Sequence, residues 1–168
     1  MANQHTNKKC SELLRNSVNF KIKIPSDILE LSKGWGITTS PENIPDWIAD
    51  FGFNTNWICG RQCGAHTDDR WSDFWFLNLV IQGDHTVEIY HWRKNGKREL
   101  NSDYIPAGKG DIFLLDPRVP HSLYYNEYTI APKPWICLQL EIPREQIKIV
   151  DSIVDSILTQ TENKKIKY

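Results

Sequence analysis

Apolar and polar positions alternate along the middle of the chain in short runs. Asn56 to Cys59, Phe74 to Ile81, Thr86 to Trp92, Asp111 to Leu115, Ser122 to Tyr125 and Trp135 to Ile142 each read as a β-strand. Turn residues separate them: Gln82-Gly83-Asp84, Pro106 to Gly110, Asp116-Pro117-Arg118, and Lys94-Asn95-Gly96-Lys97, whose Asn-Gly pair is a hairpin signal. Strands this short at this rhythm predict an all-β sandwich or barrel over about residues 54–142.

The flanks follow other periods. Cys10 to Val18 reads as a short helix, and Phe20 to Pro25 (FKIKIP) as a strand with one basic face. Ser26 to Lys33 predicts a helix with Ser26 as N-cap and Gly34 as stop. Ser40 to Asp50 predicts another, capped by Ser40 or Asn43. From Pro143 to Gln160, the residues Ile147, Val150, Ile153, Val154, Ile157 and Leu158 recur at helical spacing. That apolar stripe predicts a helix packed on the outside of the barrel or on a second copy of the chain, a homodimer. The 168 residues are the usual size of one domain, with residues 10–53 as an extension before the barrel and 143–160 as the terminal helix.

Charge narrows the partners. Twenty basic against 21 acidic residues give a net charge of −1, so no global field favours nucleic acid or an anionic membrane. The first 16 residues hold no apolar core of signal-peptide length, and no stretch approaches the ~18 apolar residues of a bilayer span. The expected setting is therefore cytoplasmic, with Cys10, Cys59, Cys63 and Cys137 reduced. Seven Trp suit a barrel core, and Trp71, Trp75 and Trp92 are candidate pocket walls.

Candidate chemistry sits in two places. In His66-Thr67-Asp68, residues i and i+2 of a strand point to one face, so an imidazole and a carboxylate would converge inside a barrel. His121 ends the run DIFLLDPRVPH, where a Pro-closed turn leads into the next strand. The interval between Asp68 and His121 holds three or four strands, enough to return the second His across the barrel. Two His and one carboxylate with open positions form the facial triad of non-haem Fe(II) oxygenases. A competing set, Cys59, Cys63 and His66 with Cys137, has the donor types of a zinc site without the usual spacing. His85, beside the Gly83-Asp84 turn, is expected to be exposed or capping, and His91 to be an ordinary strand residue.

The stretches GAHTDD, FWFLNLVIQGDHTVEI and PAGKGDIFLLDPRVPHSL resemble the double-stranded β-helix of the cupin superfamily, and within it the Fe(II)/2-oxoglutarate-dependent oxygenases. The resemblance covers about half the chain. Gly60, six residues before His66, matches the first cupin motif, and Gly110 to His121 tracks the second. It implies an all-β cupin, or jelly-roll, barrel with short N-terminal helices and a C-terminal amphipathic helix. It also implies Fe(II) on His66, Asp68 and His121, with 2-oxoglutarate as cosubstrate for hydroxylation of a small-molecule or side-chain substrate. Two departures matter. A metal-binding cupin has His-x-His and a nearby Glu, where this chain has Asp68 and Asp73. The oxygenases place an Arg about ten residues after the distal His, where this chain offers only Lys133, twelve residues on. Lys133 is thus the candidate anchor for the far carboxylate of 2-oxoglutarate, with Asn78 or Tyr124 assisting. A ligand-binding or sensory cupin without turnover, and a cupin metal dioxygenase that does not use 2-oxoglutarate, are the alternative readings.

Overall fold

The computed structural model describes residues 11–34, 36–38, 44–92, 98–127 and 132–162. Among the described residues, ten strands form two antiparallel sheets. They are β1 (Glu12–Arg15), β2 (Gly36–Thr38), β3 (Thr55–Gly60), β4 (Cys63–His66), β5 (Phe74–Gln82), β6 (His85–Trp92), β7 (Arg98–Pro106), β8 (Ile112–Leu115), β9 (His121–Tyr125) and β10 (Trp135–Pro143). The larger sheet runs β1-β8-β5-β10-β3-β2 and the smaller β4-β9-β6-β7. The orders β3-β10-β5-β8 and β4-β9-β6-β7 are those of the two sheets of an eight-stranded jelly roll, the architecture of cupins.

Both faces of the larger sheet are buried, and strand alternation assigns each residue to one of them. On β10, Trp135 and Cys137 turn toward the smaller sheet, together with Ile58, Phe76, Val80 and Phe113. Ile136, Leu138, Leu140 and Ile142 turn the other way. There they meet Val150, Ile153, Val154 and Ile157 of α3 (Val150–Glu162), which follows a 3₁₀ segment over Arg144–Ile149. The terminal helix thus spends its apolar stripe on its own barrel.

The chain before β3 covers the rest of that outer face. Phe20, Ile22 and Ile24 face it while Lys21 and Lys23 are exposed, so the alternation read from FKIKIP is present. No strand ladder forms, however, and Ser17 and Lys21 have φ of 56° and 52°. The helix expected over Cys10 to Val18 is, over Glu12–Arg15, a strand that pairs with the open edge of β8. An unpaired edge of β8 outweighs a weak helical pattern there. In helix α1 (Ser26–Leu31) the N-cap position falls on Pro25 and not on Ser26, and no side chain caps it. Helix α2 (Asp46–Ala49) is shorter than expected and begins after Pro45, while Ser40 and Asn43 lie outside the described residues. Strands β1, β2, β4 and β7 were not expected from the pattern. The turn carrying Asn95-Gly96 lies outside the described residues, but β6 and β7 on either side of it pair antiparallel. Among the described residues no helix is long and apolar enough to cross a membrane.

Candidate metal centre

His66 ends β4, His121 begins β9, and the two are direct cross-strand partners. The register between β4 and β9 slips between Cys63 and His66, because three steps on β4 oppose two on β9. This bulge brings both Cys63 and His66 to the barrel interior although they are three positions apart, an odd offset. Four strands, β5 to β8, fill the interval that returns the chain to His121.

Asp68 does not reach the cluster by strand alternation. It lies past the end of β4, at the start of a 3₁₀ turn over Asp69–Trp71, and its backbone N–H donates to the Pro117 carbonyl at 2.8 Å. The i, i+2 pairing expected of His66 and Asp68 on one strand is therefore corrected to a strand end followed by a tethered turn. A loop frees the carboxylate to approach between the two rings, which a regular strand would hold apart.

Asp68 sits 3.6 Å from His66 Nε2 through one oxygen and 3.3 Å from His121 Nε2 through the other. The ring centroids are 4.5 Å apart. Each imidazole is oriented in the same way: His66 Nδ1 lies 2.7 Å from the Gly64 carbonyl and His121 Nδ1 lies 2.8 Å from the Val119 carbonyl, two residues earlier in each case. A carbonyl only accepts, so each Nδ1 carries a hydrogen and each Nε2 is turned toward Asp68. With neutral rings the two Nε2 lone pairs and the carboxylate are all acceptors, and a cation is needed between them. Protons on the rings would serve, and so would one metal ion. Ligands about 2.1 Å from an ion in neighbouring octahedral positions lie about 3 Å apart, close to the spacing seen. The three donor atoms fall within 4.8 Å of one another, and among the described residues this is the group of His, Cys and acidic side chains that could hold a metal. The donors and the tied Nδ1 atoms fit a divalent transition metal.

The cluster opens on a cavity of about 210 Å³ between the sheets. Trp71, Phe76, Phe113, Leu115, Leu123 and Trp135 make its apolar wall. Its polar floor is a row of three carboxamides across neighbouring strands, Asn56 on β3, Gln139 on β10 and Asn78 on β5, in direct register. Among the described residues no Lys or Arg lines this cavity.

Other sequence candidates fall elsewhere. Asn78 is on the cavity floor, its amide nitrogen donating to the Phe76 carbonyl at 3.3 Å. Tyr124 occupies the opposite face of β9, where burial first and then Glu88 push its hydroxyl pKa up. Lys133 lines a different, larger cleft with Lys21 and Lys109. Of the Trp candidates Trp71 lines the cavity and Trp75 packs on the outer core, while the side chain of Trp92, like that of His91, lies outside the described residues. Trp135, a wall residue that donates its indole N–H to the Ala107 carbonyl, was not singled out from sequence.

The competing cysteine site is not gathered. Cys59 is buried in the outer core and Cys137 in the inner one, on opposite faces of the larger sheet, while Cys63 lies 3.2 Å from His66 Nδ1. His85, expected at the surface, is fully buried. Its Nε2 donates to the Arg61 carbonyl at 2.7 Å, its Nδ1 has no partner, and its ring lies tilted against Tyr125, with centroids 4.3 Å apart.

No family model and no curated protein matches the chain. Among solved structures it is similar to vicilin from Capsicum annuum, at 12% identity and a TM-score of 0.42, over 66% of this chain and 29% of that one. It is also similar to the plu4264 protein from Photorhabdus luminescens, at 15% identity and a TM-score of 0.40, over 79% of this chain and 95% of that one. The fold rests on its own strand order: two antiparallel sheets in jelly-roll topology, closed by a C-terminal helix and carrying a His-Asp-His donor cluster.

Proposed function

We propose that this protein is a metal-dependent jelly-roll enzyme that holds one divalent ion, Fe(II) foremost, on His66, Asp68 and His121 and oxidises a small uncharged substrate with dioxygen. The observation that carries the reading is the convergence of two Nε2 atoms and one carboxylate at a largely apolar cavity. When bound, the ion supplies open coordination positions and the electrons that activate dioxygen. The chain's own part is positional. Gly64 and Val119 carbonyls hold the rings in the tautomer that presents Nε2. The aromatic and aliphatic wall excludes water, and the Asn56–Gln139–Asn78 row offers uncharged donors and acceptors to orient a substrate.

The finer reading, that 2-oxoglutarate is the cosubstrate, needs a cation for its far carboxylate. Lys133 stands in another cleft, and an unpaired carboxylate in the triad cavity would cost several kcal/mol. This favours dioxygen chemistry without 2-oxoglutarate.

The test is anaerobic reconstitution with Fe(II), followed by metal analysis and oxygen-consumption assays with and without 2-oxoglutarate. One Fe(II) per chain, lost in His121→Ala, and no succinate from 2-oxoglutarate is the expected result. Fe(II)-dependent succinate formation would restore the 2-oxoglutarate reading. A chain that binds no divalent metal would leave a ligand-binding domain without turnover.

A further inference from the structure

The two loops that carry Asp68 and His121 are joined by a set of contacts that ends on one residue outside the barrel. The turn over 116–119 is the first part. Its Pro117 carbonyl accepts the Asp68 N–H at 2.8 Å, and its Val119 carbonyl accepts the His121 Nδ1–H at 2.8 Å. Two of the three donor residues are thus aimed by two carbonyls of one turn, Pro117 and Val119.

That turn is itself held by the Asp116 carboxylate, which is 1% exposed. Asp116 Oδ1 accepts the Arg118 backbone N–H at 3.0 Å, the turn closes with Val119 N–H to the Asp116 carbonyl at 3.1 Å, and both carboxylate oxygens take Arg118 guanidinium hydrogens. The remaining charge comes from Arg144, whose Nη2 also pairs with Asp116 Oδ1. Burial raises the Asp116 pKa, but the two guanidiniums outweigh it and hold the carboxyl below its ordinary range.

Arg144 reaches the other loop at the same time. Its Nε donates to the Ser72 carbonyl at 2.5 Å and its backbone N–H to the Asp73 carbonyl at 3.0 Å, while the guanidinium lies 4.7 Å over the Trp75 ring. Ser72 and Asp73 directly follow the 3₁₀ turn that Asp68 opens. The same turn is pinned on its inner side by Trp71, whose indole N–H donates to buried Glu141 at 2.9 Å. Arg144 therefore closes a circuit from Asp68 through its turn to Ser72, across to Asp116, and back through Pro117 to Asp68.

We propose that Arg144 is a positioning residue for the metal centre: paired with Asp116, it locks the Asp68 turn to the His121 turn so that carboxylate and imidazole meet at coordination distance. The inference rests on the metal reading above. Arg144 is the first residue after β10 and opens the segment leading into α3. Groups hydrogen-bonded directly to metal ligands are worth about 10–100-fold in affinity, and Arg144 acts one contact further out, through the turns that carry those groups.

The test uses the full chain and Co(II) as the probe, comparing wild type, Arg144→Met, Arg144→Lys and His121→Ala. Co(II) affinity is measured against a competing chelator, the visible Co(II) spectrum reports coordination, and thermal melting of the metal-free proteins reports folding. The expected result is a Co(II) Kd at least tenfold weaker in Arg144→Met, with an altered spectrum and a folded metal-free protein, and a partial recovery in Arg144→Lys. If Arg144→Met does not fold, the Lys variant decides, because it keeps the charge and loses the two-sided fork. Wild-type affinity and spectrum in whichever variant folds, with only the melting temperature lowered, would overturn the positioning role while His121→Ala still loses Co(II). Absence of Co(II) binding by the wild type would overturn the metal reading and this inference together.

Discussion

His66 and His121 face each other across the β4–β9 ladder, each with its Nδ1 tied to the carbonyl two residues earlier and its Nε2 turned to Asp68. Two rings whose Nδ1 atoms are tied to carbonyls by separate local devices present both Nε2 atoms to one carboxylate, a set that a bound cation would hold together.

Metal should therefore stabilise the fold. At a free metal concentration of 100 times Kd, linkage adds about 2.7 kcal/mol, or about 5–10 °C in melting temperature for a chain of this size. Differential scanning fluorimetry with and without Co(II) or Fe(II) checks it. His121→Ala should abolish the shift, and chelator should reverse it in the wild type.

His85 sets a pH dependence of its own. Burial lowers its pKa below the ordinary 6.5, only partly offset by the Arg61 carbonyl and then Asp84. A depressed imidazole is neutral in both states above pH 6.5, so nothing is lost there. As pH falls from 6.5 toward the lowered folded value, the unfolded chain takes up the proton first and stability declines. Metal-free wild type should lose denaturant stability between pH 7 and about pH 5 more steeply than His85→Gln. Equal slopes for the two proteins would remove His85 as the cause.

Gly110 has φ of 92°, and a Cβ built there lies 2.9 Å from both the nitrogen and the carbonyl oxygen of Val18. Left-handed backbone and a main-chain clash together predict a loss of about 2–4 kcal/mol for Gly110→Ala. Gly34, with nothing within 4 Å of its built Cβ, is the control, and Gly34→Ala should stay within about 1 kcal/mol of wild type in urea unfolding.

The terminal helix is part of the core. Ile157 is fully buried against the larger sheet, so Ile157→Ala should cost about 2–5 kcal/mol. Asp155, whose side chain is 73% exposed and 4.0 Å from Arg15, should change stability by about 0.5 kcal/mol or less on substitution by Ala. Chemical denaturation of the two variants separates them.

Much of this was legible in the chain itself. Strands β3, β5, β6, β8, β9 and β10 are visible because each buries at least one face, and burial writes itself as apolar residues at period two. The same holds for α3, whose stripe must meet something apolar. Strand β7 was hidden because it is an edge of the smaller sheet, with Tyr104 61% exposed beside buried Ile105, so its residues are mostly polar. Strand β4 has four residues, one Gly and one Ala, and β1 is held by the edge of β8 more than by its own propensity.

The residue types of the donor cluster belong to the sequence: two imidazoles and one carboxylate, with enough strand between them to close a barrel. What only the tertiary structure decided is how they meet. A bulge re-aims His66, a tethered turn and not a strand delivers Asp68, and Arg144, 76 positions after Asp68, joins both loops. The tertiary structure likewise parted Lys133 from the cluster and buried His85. Local pattern records which face of an element is buried, because that follows from its own side chains. It carries no record of which distant carbonyl or guanidinium a loop will find, because those contacts exist only after the sheets have packed.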